Sequence, residues 1–255
     1  MNEVLIIDKP LGITSYDVIR RIKVNFKGQK IGHAGTLDPL AEGLLICLVG
    51  KDATKRQSEF MGSEKDYSFD VLFGFNTDTY DILGLVDGTS DYSSRKTELL
   101  VINELDKFTG NIKQKVPPFS AVKIEGKPLY RWYLNGDISK VDIPIKEIEV
   151  KTLKHLHSRI IDRNQLSVEV FSLIDKVHSG FRNESIMESW STVLSGSDNN
   201  EFLIMSFSAT VSKGTYIRSL AKDIGESIGV KACIMGIKRT RIGDITLNDV
   251  NYKVS

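Results

Sequence analysis

The chain opens with a short continuous apolar run, Val4-Leu5-Ile6-Ile7, closed by Asp8-Lys9-Pro10-Leu11-Gly12, a pattern that predicts a buried strand ending in a turn. Ser15 then stands as a helix N-cap. Val18, Ile19 and Ile22 share one face of a helix that runs to about Phe26 and stops at Gly28, with basic residues outside. Leu44 to Val49 is a second continuous apolar run and a second buried strand. Lys65 to Phe73 alternates, placing Tyr67, Phe69, Val71 and Phe73 on one face of a strand. Gly84 to Thr97 reads as a polar loop. Glu98 to Phe108 predicts a helix with Leu99, Ile102, Leu105 and Phe108 inward, ended by Gly110. Pro117-Pro118 bars a central strand at that point. Val141 to Val150 (with Pro144 at an edge), Leu166 to Phe171 and Leu203 to Val211 predict three more strands. Ile217, Leu220, Ala221, Ile224 and Ile228 follow at helical spacing, with Gly229 as the stop. Between them, Ser172 to Glu201 is polar and Ser-rich but contains Phe181, Ile186, Met187 and Trp190; a small helix or a loop is expected there.

Composition narrows the class. Hydrophobic residues at 41% and charged residues at 26% are ordinary for a globular protein. Leu44 to Val49 is too short to span a bilayer, and the apolar start ends at Asp8, so neither a membrane span nor a signal peptide is expected. Cys47 and Cys233 sit in apolar runs as small hydrophobes, and the four histidines do not cluster at ligand spacing. The expected setting is cytoplasmic, with no metal. The net charge of +1 announces no nucleic acid, but its distribution is uneven. No acidic residue occurs in Val18–Leu37, Asn111–Ile124, Phe202–Lys222 or Ser227–Gly243, while acid gathers in Glu59–Asp91. If the basic segments share a face, they form a phosphate-binding surface; otherwise they are separate solvated faces.

The densest candidate chemistry is Gly32-His33-Ala34-Gly35-Thr36-Leu37-Asp38-Pro39-Leu40-Ala41-Glu42-Gly43-Leu44-Leu45. Glycines permit close backbone approach, and Pro39 biases Asp38 away from helix. On composition alone this is either a shaped loop presenting one carboxylate at the mouth of a strand or an ordinary Gly-rich turn with a capping Asp. The words GHAGTLDPLAEGLL resemble the catalytic motif of the TruB family of tRNA pseudouridine synthases, whose Asp before Pro is the nucleophile. Further segments resemble the family in its own order: VLIIDKPLGITSYDVI with the pair Lys9-Pro10, Gly50 to Lys55, Lys65-Asp66-Tyr67, Asn76 to Asp81, Pro117 to Lys123 continuing through Gly126 to Tyr130, SKGTYIR at 212–218, and Cys233 to Thr240. Asn76 stands where the family has Arg, and Ile237 where leucine is usual.

The resemblance implies a single α/β domain over residues 1–255, a pseudouridine synthase fold with a mixed, mainly antiparallel sheet flanked by helices. It departs from many members in showing no C-terminal PUA-type RNA-binding domain and in carrying an insertion at about 172–201. It implies conversion of uridine 55 in the tRNA T-loop to pseudouridine by a flipped-base mechanism without a cofactor. The partner is the tRNA T-arm; no obligatory protein partner is implied, and the protein is expected to be a monomer. By the same resemblance Asp38, Tyr67 and Arg218 are catalytic: Arg218 would hold Asp38 as the carboxylate and fix its rotamer, and Tyr67 would pack on the base, with Asp81 a further partner for the arginine. His33, Lys9, Pro10, Tyr216, Ile237, Lys123, Tyr130 and Arg239 are the substrate-binding candidates. Two rivals remain at this stage: an inert RNA-binding protein of the same fold, and a hydrolase of glycosidic bonds, which needs two cooperating acids.

Overall fold

The computed structural model describes residues 2–177, 182–197 and 199–254; the expected apolar residue Phe181 lies outside them. The chain enters as β1 (Glu3–Lys9) and turns into α1 (Ser15–Asn25). Thr14, one residue before the predicted cap, starts this helix: its hydroxyl accepts from the Asp17 amide while the Asp17 carboxylate accepts from the Thr14 amide. Ser15 is thereby freed for another partner. β2 (Ile31–Ala34) and β3 (Ala41–Val49) flank the Gly-rich loop. The short helices α2 (Lys51–Lys55) and α3 (Gln57–Gly62) lead to β4 (Lys65–Phe73), which buries Tyr67, Phe69, Val71 and Phe73 as its alternation predicts. β5 (Phe75–Thr77) and β6 (Val86–Thr89) form a separate ribbon with residues 78–85 at its tip.

α4 (Ser94–Glu104) begins before the predicted span and ends in a 3₁₀ turn, Leu105–Phe108. Its buried row is Ser94, Thr97 and Val101, while Leu99 is 65% exposed. The small and β-branched row faces the sheet and Leu99 and Ile102 face outward, against the apolar pattern, while Leu105 and Phe108 of the 3₁₀ turn pack on the core as predicted. β7 (Gly110–Lys115) follows. A ribbon of β8 (Lys123–Ile124) and β9 (Lys127–Pro128) then leads to α5 (Leu129–Leu134).

β10 (Ile145–Asp162) is much longer than expected, and the predicted strand at Leu166–Phe171 lies instead inside α6 (Arg163–Asp175). The reason is local. Asp162 and Gln165 cap the helix reciprocally, and Leu166, Val170 and Ile174, four residues apart, are buried while Val168 faces solvent. α7 (Asn183–Gly196) returns antiparallel to α6, so the insertion is a helical hairpin with Ile186, Trp190 and Leu194 inward. The chain closes with β11 (Glu201–Val211), α8 (Ile217–Ser227), β12 (Ala232–Ile242) and β13 (Ile245–Thr246).

The main sheet runs β1-β3-β12-β4-β11-β10-β7, with β2 on β3 and β13 on β12. Among the described strand pairs of this sheet, β12 with β3 is parallel and the others are antiparallel, as the mixed, mainly antiparallel expectation has it. β12, last of the long strands in sequence, thus sits mid-sheet and joins β1-β3 to β4-β11-β10-β7. Gly43 makes that junction possible: at φ +98°, a Cβ there would lie 2.3 Å from the Arg239 carbonyl oxygen. Cys47 and Cys233 are buried in the core, with burial pushing the Cys47 thiol up to about 12. No helix among the described residues is long and apolar enough to cross a membrane.

Candidate active site

Asp38 sits in the loop between β2 and β3, and its backbone is fastened from three sides. Ser15, the second residue of the capped helix start, donates from its hydroxyl to the Leu37 carbonyl and accepts from the Leu37 amide. The Gly12 amide donates to the Pro39 carbonyl at 2.9 Å. Arg239 donates through Nη2 to the Gly35 carbonyl at 3.0 Å and through Nε to the Leu44 carbonyl at 2.8 Å. This corrects the sequence reading of Arg239 as a substrate contact. It is fully buried and clamps both ends of the Asp38 loop. The neighbouring cations are also engaged, Lys238 with Glu42 and Arg241 with Asp66. In this last acid-free segment, then, Lys238, Arg239 and Arg241 are all engaged within the protein.

The Asp38 side chain is 43% exposed and meets Arg218, whose side chain is only 6% exposed; Arg218 Nε lies 2.8 Å from Asp38 Oδ2. Arg218 comes from the first turn of α8. Gln114 on β7 fixes that helix start, donating to the Tyr216 carbonyl and accepting from the Tyr216 amide. Each of the three guanidinium nitrogens of Arg218 has a partner. Nη1 donates to the Thr79 carbonyl at 2.5 Å, Nη2 donates to the Phe119 carbonyl at 2.9 Å, and Nε is 3.7 Å from Asp81 Oδ2. Burial alone would weaken its hold on the proton, but Asp38 and Asp81 outweigh this, and its pKa is raised. Asp81 is sealed behind it. Burial, opposed by Arg218 and aided by Asp38, raises the Asp81 carboxyl to about 6. A fixed cation held by two carbonyls and a buried carboxyl thus presents one half-open carboxylate to solvent.

The other predicted residues divide. Lys9 is fully buried, so it underlies the site instead of lining it. Its ammonium donates to the Pro10 and Ile13 carbonyls at 2.9 and 2.7 Å, and burial, countered first by Asp38, lowers its pKa to about 8. Pro10 is exposed beside it. Tyr67 is buried on β4, its backbone opposite Arg239 of β12 and Ala209 of β11. Ile237 is half-buried on β12, and Tyr216 is half-buried with the Lys146 ammonium 5.5 Å from its ring centroid. His33, on β2, has a buried Nδ1 without a partner. Burial and then Arg239 lower its pKa, which favours the neutral ring. Lys123 is exposed on β8 and Tyr130 half-buried on α5, both on the segment that leaves the site after Phe119. Thr79, Phe119, Gln114 and Ser15 were not among the sequence candidates. Thr79 and Phe119 act through backbone carbonyls that no side-chain pattern reveals; Gln114 and Ser15 act on backbone groups distant in sequence. Among the described residues, no group of three or more His, Cys, Asp or Glu side chains is arranged to hold a metal.

The mixed sheet flanked by helices is a pseudouridine synthase fold. A chain of a solved Cbf5-Nop10-Gar1 complex matches 98% of this chain at TM-score 0.57 and 22% identity, a likeness of fold, and the present chain spans about half of it. Residues 21–172 match the family model described as TruB family pseudouridylate synthase, N-terminal domain. The chain is 36% identical over 249 residues to the tRNA pseudouridine synthase B of Fusobacterium nucleatum, covering 97% of this chain and 70% of that protein. It is also 36% identical to the tRNA pseudouridine synthase B of Aquifex aeolicus, covering 98% and 71%. The protein belongs to the TruB family of pseudouridylate synthases.

Proposed function

We propose that this protein isomerises uridine to pseudouridine in tRNA, at the T-loop uridine 55, acting as a monomer in the cytoplasm on the T-arm. The observation that carries the reading is the half-exposed Asp38 carboxylate held at 2.8 Å by the buried Arg218. The reaction breaks the N1–C1′ bond, turns the base and joins C5 to C1′. No atom is gained or lost, so a cofactor has no part to supply. Asp38 acts on the sugar or base as nucleophile or as the negative charge facing C1′. Arg218 fixes its direction. Tyr67 and Ile237 wall the flipped base, Tyr216 stands at the α8 start beside Arg218, and the neutral His33 is suited to occupy the stack the base leaves. Lys123 and Tyr130 fit contacts to phosphate and base along the outgoing segment.

A two-acid glycosidic hydrolase is disfavoured because the second carboxyl, Asp81, is sealed behind Arg218 and cannot flank a bond from the opposite side. An inert RNA-binding role leaves the half-exposed Asp38 carboxylate, aimed by a buried arginine, without a use. The test is position-mapped pseudouridine formation on an unmodified tRNA transcript, with wild type and Asp38→Asn side by side. Product at the T-loop uridine from wild type, reduced by about 10³-fold or more in the variant, is expected. tRNA binding without product would overturn the enzymatic reading, and free uracil would favour the hydrolase.

A further inference from the structure

We propose that the α6–α7 hairpin is a buttress for Arg218, and that Arg182 is its positioning residue. This rests on the reading of Asp38 and Arg218 as a catalytic pair. The hairpin touches the 77–86 segment at three points. Arg182 Nη1 lies 2.8 Å from Asp78 Oδ2, Trp190 Nε1 donates to the Ile82 carbonyl at 3.0 Å, and the Val86 amide donates to Ser189 Oγ at 3.0 Å. That segment carries Asp81 and the Thr79 carbonyl, both partners of Arg218. Arg182 also reaches the other wall: its guanidinium carbon lies 4.9 Å from the Phe119 ring centroid, and the Phe119 carbonyl is the remaining acceptor for Arg218. One exposed-edge arginine thus spans both loops that seat the buried one. The same end of the hairpin also abuts the site through α6: the Lys176 carbonyl oxygen lies 2.0 Å from where a Cβ on Gly12 would be, and Gly12 holds Pro39.

The electrostatics make Arg182 more than a surface pair. The Asp78 side chain is buried; its Oδ1 accepts from the Leu85 amide, and Arg182 is its ion-pair partner. Truncating Arg182 leaves a buried carboxylate without its ion-pair partner, and the segment must move to relieve it. That movement shifts the Thr79 carbonyl that Arg218 uses. The motif Asn76-Thr77-Asp78-Thr79-Tyr80-Asp81 carries no cation of its own. The hairpin supplies one from a hundred residues away in sequence.

The experiment is single-turnover conversion of an unmodified tRNA transcript at saturating enzyme, with tRNA Kd and thermal unfolding measured on each variant. Arg182→Ala is expected to slow the step about 10- to 100-fold while Kd stays within about twofold. Arg182→Lys should recover part of the loss, added guanidinium should partly rescue Arg182→Ala, and the double variant with Asp78→Asn should be no slower than the slower single. Glu169→Gln cuts a second hairpin tie, Arg159 to Glu169 at 2.6 Å, remote from the site, and should leave the rate at wild type. A rate for Arg182→Ala within twofold of wild type, or an equal loss in Glu169→Gln, overturns the inference. Should Arg182→Ala not fold, Arg182→Lys and Asp78→Asn decide it: both at the wild-type rate would overturn it equally. Wild type forming no pseudouridine would instead overturn the functional reading beneath it.

Discussion

A lysine at position 218 could carry the charge but not the arrangement. Nε faces Asp38 while the two terminal nitrogens reach carbonyls on different loops, and a single ammonium cannot span that fork. Arg218→Lys is expected to cut single-turnover pseudouridine formation by about 10²-fold or more with little change in Kd for tRNA. Lys9 is the second test at this scale. Its pKa in the folded protein, about 8, lies below the ordinary 10.5, so the cost of burying its charge is fully present below pH 8. That cost is relieved as pH rises from 8 to 10.5, and stability from this group rises over the same window. Catalysis should move the opposite way, because the cation under Asp38 is lost: the wild-type rate should fall above about pH 8, and this limb should be missing from the already slower Lys9→Met. A wild-type profile flat to pH 9.5 would remove Lys9 from the mechanism. Asp38 and Arg218 were legible because motif words mark side chains that act as side chains. Arg239 was misread because a cation in a basic run looks the same whether it faces RNA or a buried carbonyl. The bulge between Arg239 and Arg241 also breaks the alternation that might have told them apart.

At the scale of elements, continuous and alternating apolar runs predicted β1, β3, β4 and β11 because both reflect burial directly. They failed at α6. Leu-Ser-Val-Glu-Val-Phe alternates like a strand, yet the cap at Asp162 and the four-residue spacing of Leu166, Val170 and Ile174 make it a helix. At the helix over Ser94–Phe108 they held for Leu105 and Phe108 and failed for Leu99 and Ile102, because small residues face the sheet there. Within the insertion, Trp190 is fully buried with its ring 5.1 Å from that of Phe75, and Trp190→Ala should cost about 3–5 kcal/mol in denaturant unfolding. Gly43→Ala should be comparably damaging although it adds one methyl, since the clash is with backbone and φ is positive. An unchanged midpoint in either variant would mean that the packing described for that position is wrong.

For the whole molecule, charge is nearly balanced, and several of the cations in acid-free segments are spent internally on Gly35, Leu44, Asp38, Glu42 and Asp66. Salt titration of tRNA binding separates the two kinds. Lys123→Ala is expected to lower the slope of log K against log salt by about one and to weaken binding evenly across sequences. Arg239→Ala should lower the unfolding midpoint and the rate, and wherever it stays folded it should keep the wild-type salt slope. A slope change in Arg239→Ala would return it to the RNA surface.

The position of β12 has a consequence for biosynthesis. The loop bearing Asp38 leaves the ribosome early, but its clamp, Arg239, and the strand that joins the two halves of the sheet emerge about two hundred residues later. Translation is therefore expected to time activity: a nascent chain holds the reactive carboxylate long before anything aims it, and it should stay inert toward transfer RNA until β12 has emerged. Stalled chains that expose residue 200 but not 242 should form no pseudouridine, whereas chains stalled on a linker long enough to expose β12 should.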